Sequence, residues 1–273
     1  MGDFRRQRCT LQPEFERSDV FYDRVAGEYD QHMSRKSSDA LTRAAFVELV
    51  TRHVESGSTL LDFGCGTGLD AAEYLQRGYR VHAYDNSTGM MARLQARCEP
   101  HIASGALSTY TGDYSAFLDR LPLTPSPQAV VSNFAVLNLI RDVDALFSAF
   151  ARHLAPPGWL ILSILNPVHW SRLRSAYWWR CFIHRSERAP VNGTQPYLSY
   201  LHFIPALLRV APQFHLVGRA NAGSSVRYDG VLSGENRRFW WNADEKAYRR
   251  LLWQTGAHRL LGHFVFLVLR RDR

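Results

Sequence analysis

The chain has 273 residues, 46% of them hydrophobic and 21% charged, an ordinary globular composition that excludes a disordered or fibrous chain and is long enough for a full core. Thirty-three basic against 25 acidic residues leave a net charge of +8. That balance admits nucleic acid, anionic lipid, an acidic protein partner, or nothing beyond solubility.

Residues 20–56 read as mostly helical. "SSDALTRAAFVELVTRHVESG" puts Leu41, Ala45, Leu49 and Val50 on one face, with Ser38 or Asp39 as N-cap and Gly57 as stop. Strands and helices then alternate. "TLLDF" predicts a strand, "LDAAEYLQR" a helix ending at Gly78, "YRVHAYD" a strand and "STGMMARLQARC" a helix. "ALSTYTG" and "AVVSNF" predict two more strands. "DVDALFSAFARHL" predicts a helix capped by Asp142 and stopped by Pro156-Pro157-Gly158, and "WLILSIL" a strand. This rhythm predicts a parallel sheet with helices on both faces and right-handed crossovers. It breaks after Asn166-Pro167. Residues 168–238 are rich in aromatics and carry ten arginines against three acids. "ADEKAYRRLLWQTG" then predicts a helix, and "AHRLLGHFVFLVLRR" two strands joined near Gly262. The expected organisation is therefore an N-terminal helical extension (1–57), an α/β domain (58–167 and 239–273) and a lid or insertion (168–238).

No apolar run approaches the ~20 residues that span a bilayer. The N-terminal 19 residues have arginines but no apolar segment of a secretory signal, and Arg6 does not fit a myristoylation signal. The four cysteines, Cys9, Cys65, Cys98 and Cys181, show neither a CxxC pair nor metal-ligand spacing. Reduced thiols, no metal and a cytoplasmic location are expected.

"LLDFGCGTGLD" (60–70) packs three glycines into five positions after an apolar run. Glycine is costly in regular structure, so its concentration marks a turn that needs it. Gly64 and Gly66 would let the backbone approach a ligand, and Gly68 would let a helix start beside it. Asp85 ends the second strand, 17 residues beyond Gly68, where a carboxylate fits a ribose diol. A dinucleotide site uses GxGxxG, but here the third glycine comes one residue early and Leu69 stands in its place. Asp70 in the first helical turn would also oppose a pyrophosphate.

The pattern resembles the first motif of class I S-adenosylmethionine-dependent methyltransferases, whose loop wraps the methionyl and ribose part of a cofactor without phosphate. "FYDRVAGEYD" (21–30) resembles the aromatic lead-in of small-molecule members. "TGDY" (111–114) resembles the segment after the third strand, "VVSNFAVLNL" (130–139) the fourth-strand motif and "APPGWLILSILNP" the fifth-strand segment. The family's acid-rich entry to the fourth strand is replaced by "PLTPSPQ", a plain loop. The resemblance covers about residues 20–166 and 240–270. It implies a doubly wound, mostly parallel seven-stranded α/β sheet of Rossmann-like methyltransferase type, with N-terminal helices and a late lid insertion. It implies S-adenosylmethionine as cofactor, held by Tyr22, Tyr29, Asp62, Gly64, Cys65, Gly66, Asp85, Asn86, Met90, Asp113, Tyr114, Asn133 and Phe134. Asp113 would face the adenine amine, with Tyr114 beside the ring.

Other readings stand beside these. Tyr22 and Tyr29, seven apart, could share a buried face. Asp113 could be a turn residue and Asn133 a strand-end cap. Cys65 at a helix start could have a lowered pKa, although a catalytic thiol is not expected. No catalytic residue is assigned. His169 and Tyr22 are candidates for a base, which methyl transfer needs only if the nucleophile must lose a proton. His202 and His215 lie in the same insertion.

If 169–185 is helical, Trp170, Leu173, Tyr177, Trp178, Cys181 and Phe182 share one arc, with Arg172 opposite and Arg174 inside it. Asn138, His169, Trp170, Arg174, Tyr177 and Trp178 are the expected acceptor-binding residues. They suit a small apolar or aromatic metabolite, with or without an anionic group. The alternative within the class is an acyl group on an acidic carrier protein, as in the malonyl methyl-ester-forming relatives, served by Arg172, Arg174 and Arg180. Membrane contact is compatible but not required. Nucleic acid is not expected, because lysine is nearly absent and the arginines are interleaved with bulky apolar groups. Two readings of other classes remain: a cofactor-binding protein without methyl transfer, and an NAD(P) oxidoreductase, which the glycine spacing disfavours.

Overall fold

Strands that are apolar on both faces must be covered on both, and the architecture follows from that. Thr59–Phe63 (β1) and Ala129–Ser132 (β4) are buried at every position. They pair in parallel, with Leu61 opposite Val130. The computed structural model describes residues 17–34, 37–169, 179, 197, 199–222 and 262–272. Its other strands are Arg80–Asp85 (β2), Leu107–Thr111 (β3), Gly158–Leu165 (β5), His215–Ala222 (β6) and Phe264–Arg271 (β7). They form one seven-stranded sheet in the order β3-β2-β1-β4-β5-β7-β6. Strands β1 to β5 are parallel, and β7 is antiparallel to both β5 and β6.

The period of two along each strand divides the core into two layers. Leu60, Val81, Val131, Ile161 and Phe266 point to one face. Ser37–His53 (α3), Leu69–Gln76 (α4) and Thr88–Arg97 (α5) cover it with Phe46, Tyr74 and Leu94. Leu61, Phe63, Val130, Leu162 and Leu267 point to the other. Tyr114–Leu118 (α7), Asp144–His153 (α8) and Ile204–Val210 (α9) cover that face with Phe117, Phe147 and Leu207. Glu99–Ala103 (α6) is a short helix between α5 and β3. The N-terminal helices Ser18–Val25 (α1) and Tyr29–Ser34 (α2) precede α3. No described helix is long and apolar enough to cross a membrane.

Two expectations are corrected. Of the face read on α3, Val50 is buried and Leu49 half-buried against the core, but Leu41 and Ala45 are exposed. The buried stripe is Thr42, Phe46, Val47, Val50 and Val54. Phe46 sets it, because its ring meets Phe266 at 5.2 Å and is fully buried. The second correction concerns the end of the sheet. Both edges of β7 are taken, by β5 and by β6, so its partner is not a strand just before Gly262. That partner is β6, which lies inside the stretch 168–238 read as an insertion, as does α9. An edge strand with mostly exposed side chains has no alternating pattern to read. The predicted helix over 243–256 falls outside the described residues, as does that over 169–185 apart from His169 and Trp179.

Candidate active site

In an open α/β sheet the crevice lies beyond the carboxyl ends of the strands, where the strand order reverses. Here that is between β1 and β4, and a cavity of about 530 Å³ opens there. The glycine loop forms one wall. Gly64 and Cys65 donate their N–H groups to Tyr84 O at 2.8 and 3.0 Å, tying the loop to β2. Gly64, Gly66 and Gly68 all have positive φ, +80°, +53° and +80°. The reasons for glycine differ from those expected. A Cβ on Gly64 would stand 2.4 Å from Val136, and one on Gly68 would stand 2.7 Å from Leu94. Those two glycines serve internal packing. Only at Gly66 does the Cβ direction meet nothing within 4 Å.

Asp85 lies across from that loop at the end of β2. It accepts from Gly66 N at 2.8 Å and Ser87 N at 2.9 Å. A carboxylate offers about four lone-pair sites, so acceptor capacity remains toward the cavity. Burial pushes its pKa up to about 6, against the lowering effect of those backbone N–H groups. Asp62 sits at the end of β1, beneath the loop and off the cavity wall. No partner among the described residues reaches its Oδ2. Burial, then the charge of Asp70, holds its pKa well above the ordinary carboxylate range, with Arg43 opposing. Cys65 is buried and its thiol is pushed up, first by burial and then by Asp85. The lowered pKa considered for it from its place at a helix start is not found.

The N-terminal helices close the near side. Asp23 of α1 accepts from Ser87 Oγ at 2.6 Å and Gly89 N at 2.8 Å, joining α1 to the start of α5. Asp30 of α2 accepts from Thr67 Oγ1 of the glycine loop at 2.5 Å and pairs with Arg97. These contacts bring Tyr22 and Tyr29 onto the cavity wall, their rings 6.2 Å apart edge to face. The hydroxyl of Tyr22 lies 3.2 Å from that of Tyr197. Burial, reinforced by Tyr197 and Tyr29, raises the Tyr22 pKa well above its ordinary value. Burial also pushes Tyr29 up to about 12 against the charge of Arg43. Tyr22 is therefore held as a neutral hydroxyl at neutral pH.

The far wall is the turn after β4. Phe134 and Ala135 are consecutive non-glycine residues with φ of +51° and +63°, a conformation that clusters at functional sites. Apolar side chains of Leu139, Ile140, Leu165 and Phe264 continue this wall. At the other end, Asp113 lines the cavity but also accepts from Ser115 N (2.9 Å) and Ser115 Oγ (2.5 Å), capping α7. Those hydrogen bonds from Ser115 hold its pKa below the ordinary value.

The structure thus brings together every residue expected at the cofactor except Asp62, including Asn86, Met90, Tyr114 and Asn133. Of the expected acceptor residues, Asn138 lines the cavity, but its amide is committed to the fold. It donates to Tyr200 O at 2.6 Å and accepts from Leu165 N at 2.9 Å. His169 is buried off the cavity wall, its ring 4.4 Å from that of His263. His202 Nε2 donates to the carbonyls of Leu137 and Ile140 (3.0 and 2.9 Å), supporting the turn rather than reaching the cavity. Trp170, Arg174, Tyr177 and Trp178 lie outside the described residues. Sequence reasoning missed Arg43, Tyr197 and Ser199, which line the cavity from distant parts of the chain. With the face read at Leu41 and Ala45, Arg43 falls on the opposite side of α3, so the spacing carried no signal for it.

The residues present fit S-adenosylmethionine. Gly66 faces open space, Asp85 has spare acceptor capacity where a ribose diol would lie, and Asp62 leaves a buried carboxyl oxygen unpartnered beneath the loop.

Residues 29–193 match the family described as "Methyltransferase domain". The chain is 29% identical over 150 residues to the ubiquinone biosynthesis O-methyltransferase of Xylella fastidiosa (strain 9a5c), covering 54% of this chain and 58% of that one. It is 27% identical over 266 residues to the malonyl-[acyl-carrier protein] O-methyltransferase of Yersinia pestis, covering 92% and 90%. Among solved structures it resembles the [4+2]-cyclase SpnF, with a TM-score of 0.60 and 17% identity over 93% of this chain and 96% of that one. The chain spans 22% to 58% of the length of the first three curated relatives it matches.

Proposed function

Because the chain belongs to the methyltransferase-domain family, as a class I S-adenosylmethionine-dependent methyltransferase, we propose that it methylates a small acceptor held against the apolar wall of the cavity. The observation that carries this reading is one cavity lined by both kinds of residue. Asp85, Gly66, Arg43 and Asp113 supply polar contacts. Leu139, Ile140, Leu165 and Phe264 supply apolar wall, and Phe134 packs against Phe264 with ring centres 5.7 Å apart. When bound, the cofactor supplies a methyl group on a strongly electrophilic sulfonium.

In this reading Asp85 accepts from the ribose hydroxyls, and Asp113 and Tyr114 flank the adenine. Tyr29 and Arg43, which line the cavity, serve the amino-acid end, with Arg43 as the cation for its carboxylate. The hydroxyls of Tyr22 and Tyr197 border the acceptor. No histidine among the described residues lines the cavity. The chain's own contribution is then alignment and exclusion of water rather than proton removal, which suits a nucleophile that arrives ready to react. The stretch 168–238 proposed as a lid contributes Tyr197 and Ser199 to the cavity wall.

An apolar or aromatic metabolite is the leading acceptor class, in line with the apolar wall and the O-methyltransferase relative from Xylella fastidiosa. A carrier-bound acyl group is the second reading, favoured by the Yersinia pestis relative that matches nearly end to end. Calorimetry with S-adenosylmethionine and NADH tests the cofactor: micromolar binding of the first alone is expected, and binding of NADH alone refutes the proposal. Turnover of tritiated S-adenosylmethionine with a monophenol, malonyl-coenzyme A or a malonyl-carrier protein then separates the acceptors. Methylation of the carrier conjugate alone selects the second reading.

A further inference from the structure

Asp70 occupies the first turn of α4, where an acid is ordinarily explained by the helix dipole. Its surroundings call for more. The residue is 6% exposed, and both carboxylate oxygens are taken by side chains of other elements. Oδ1 pairs with Arg43 of α3. Oδ2 accepts from Asn133 Nδ2 at 2.9 Å. Asn133 Oδ1 in turn accepts from Phe134 N at 2.8 Å. The guanidinium carbon of Arg43 lies 4.7 Å from the centre of the Phe134 ring. The contacts close a ring, Asp70–Arg43–Phe134–Asn133, and all four residues line the cavity. This ring holds the turn whose left-handed backbone at Phe134 and Ala135 is strained.

Two described cations line the cavity. Arg17 is 76% exposed at the rim and paired with Asp19. The Arg43 side chain is 18% exposed and bound on one edge by Asp70. A guanidinium carries five donors in one plane. Fixing one edge on a carboxylate and laying the plane on a ring leaves further donors for an anion. We propose that Asp70 is a positioning residue: it orients Arg43 toward the carboxylate of the cofactor's amino-acid end and fixes the turn carrying Phe134. This rests on the cofactor reading above.

Asp70→Asn places an amide N–H₂ against one of two donors, Arg43 or Asn133, and breaks the ring on that side. S-adenosylhomocysteine and 5′-methylthioadenosine share the adenosine end, but only the first has an amino acid. Isothermal titration with both therefore separates positioning from general damage. Asp70→Asn should weaken S-adenosylhomocysteine about 10- to 100-fold, the scale of a charge-assisted contact, and leave 5′-methylthioadenosine within about twofold. Arg43→Gln should show the same asymmetry, and stands as the readout if Asp70→Asn does not fold. Equal losses for both ligands, or unchanged affinity for S-adenosylhomocysteine, overturn the proposal. Failure of the unmutated protein to bind either ligand removes the cofactor reading instead.

Discussion

Asp85 shows how one residue is set against the stability of its own fold. Its folded pKa of about 6 exceeds the unfolded value, so the folded chain binds the proton more tightly. The associated stability is present below about pH 4 and lost as pH rises through 6, leaving the ionised group to cost about 3 kcal/mol at neutral pH. Asp85→Asn removes that titration but sets an amide N–H₂ against Gly66 N or Ser87 N. The expected signature is therefore the slope: cofactor-free unmutated protein should lose more stability from pH 4 to pH 7.5 than Asp85→Asn does. The variant should also bind S-adenosylmethionine about 2 kcal/mol more weakly, because a charge-assisted acceptor is gone. Parallel pH dependences for the two proteins, together with equal binding, would contradict both parts. The glycine loop offers a second contrast. Gly64→Ala drives a methyl into Val136 and should destabilise by about 2–4 kcal/mol, with partial recovery in Gly64→Ala/Val136→Ala. Gly66→Ala meets no neighbour and should lose only about 1 kcal/mol from its backbone conformation. Its defect should appear in calorimetry as weakened cofactor binding, since the added methyl stands in open space that the ligand would use.

At the scale of elements, α3 is the clearest case of a pattern read one turn-angle out of register. Leu41 and Ala45 made a plausible stripe, but a large ring outweighs an alanine, and Phe46 took the core position against Phe266. Phe46→Ala should cost about 3–5 kcal/mol in urea unfolding, the usual range for a buried phenylalanine. Leu41→Ala should stay within about 0.5 kcal/mol, as expected for an exposed site. Similar losses at the two positions would restore the sequence-read face. The same rotation places Arg43 on the cavity side, which is how a helix outside the glycine motif comes to complete the site. For α1, Asp23 anchors the helix to the start of α5 through Ser87 and Gly89. Loss of these contacts in Asp23→Ala should destabilise by about 1 kcal/mol, as for a lost helix cap. Limited proteolysis near residue 27 should quicken as Tyr22 and Tyr29 leave the wall.

For the whole molecule, the place of β6 changes what can be removed. Deleting residues 168–238 would strip β6 from β7 and expose a sheet edge. Replacing residues 170–196 by a glycine-serine segment of equal length spares every described strand. If that stretch is part of the lid, the replacement should keep cofactor affinity within a few-fold, because Asp85, Gly66 and Arg43 lie outside it. Turnover should be abolished. Unchanged turnover would place acceptor recognition elsewhere.

The alternation of strand and helix from residue 58 to 165, the glycine loop and Asp85 were legible in the sequence. Each rests on short-range chemistry: an apolar run, a turn requiring positive φ, an acid at a strand end. Only the tertiary structure decided which face of α3 is buried, that β6 rather than a strand before Gly262 pairs with β7, and that Gly64 and Gly68 answer to Val136 and Leu94. It also decided that Arg43, Asp70 and Asn133 meet, and that Tyr197 reaches Tyr22 across 175 positions. These outcomes depend on contacts between segments far apart in the chain. Local spacing carries no trace of them, because the neighbour that settles each one arrives only when the sheet closes.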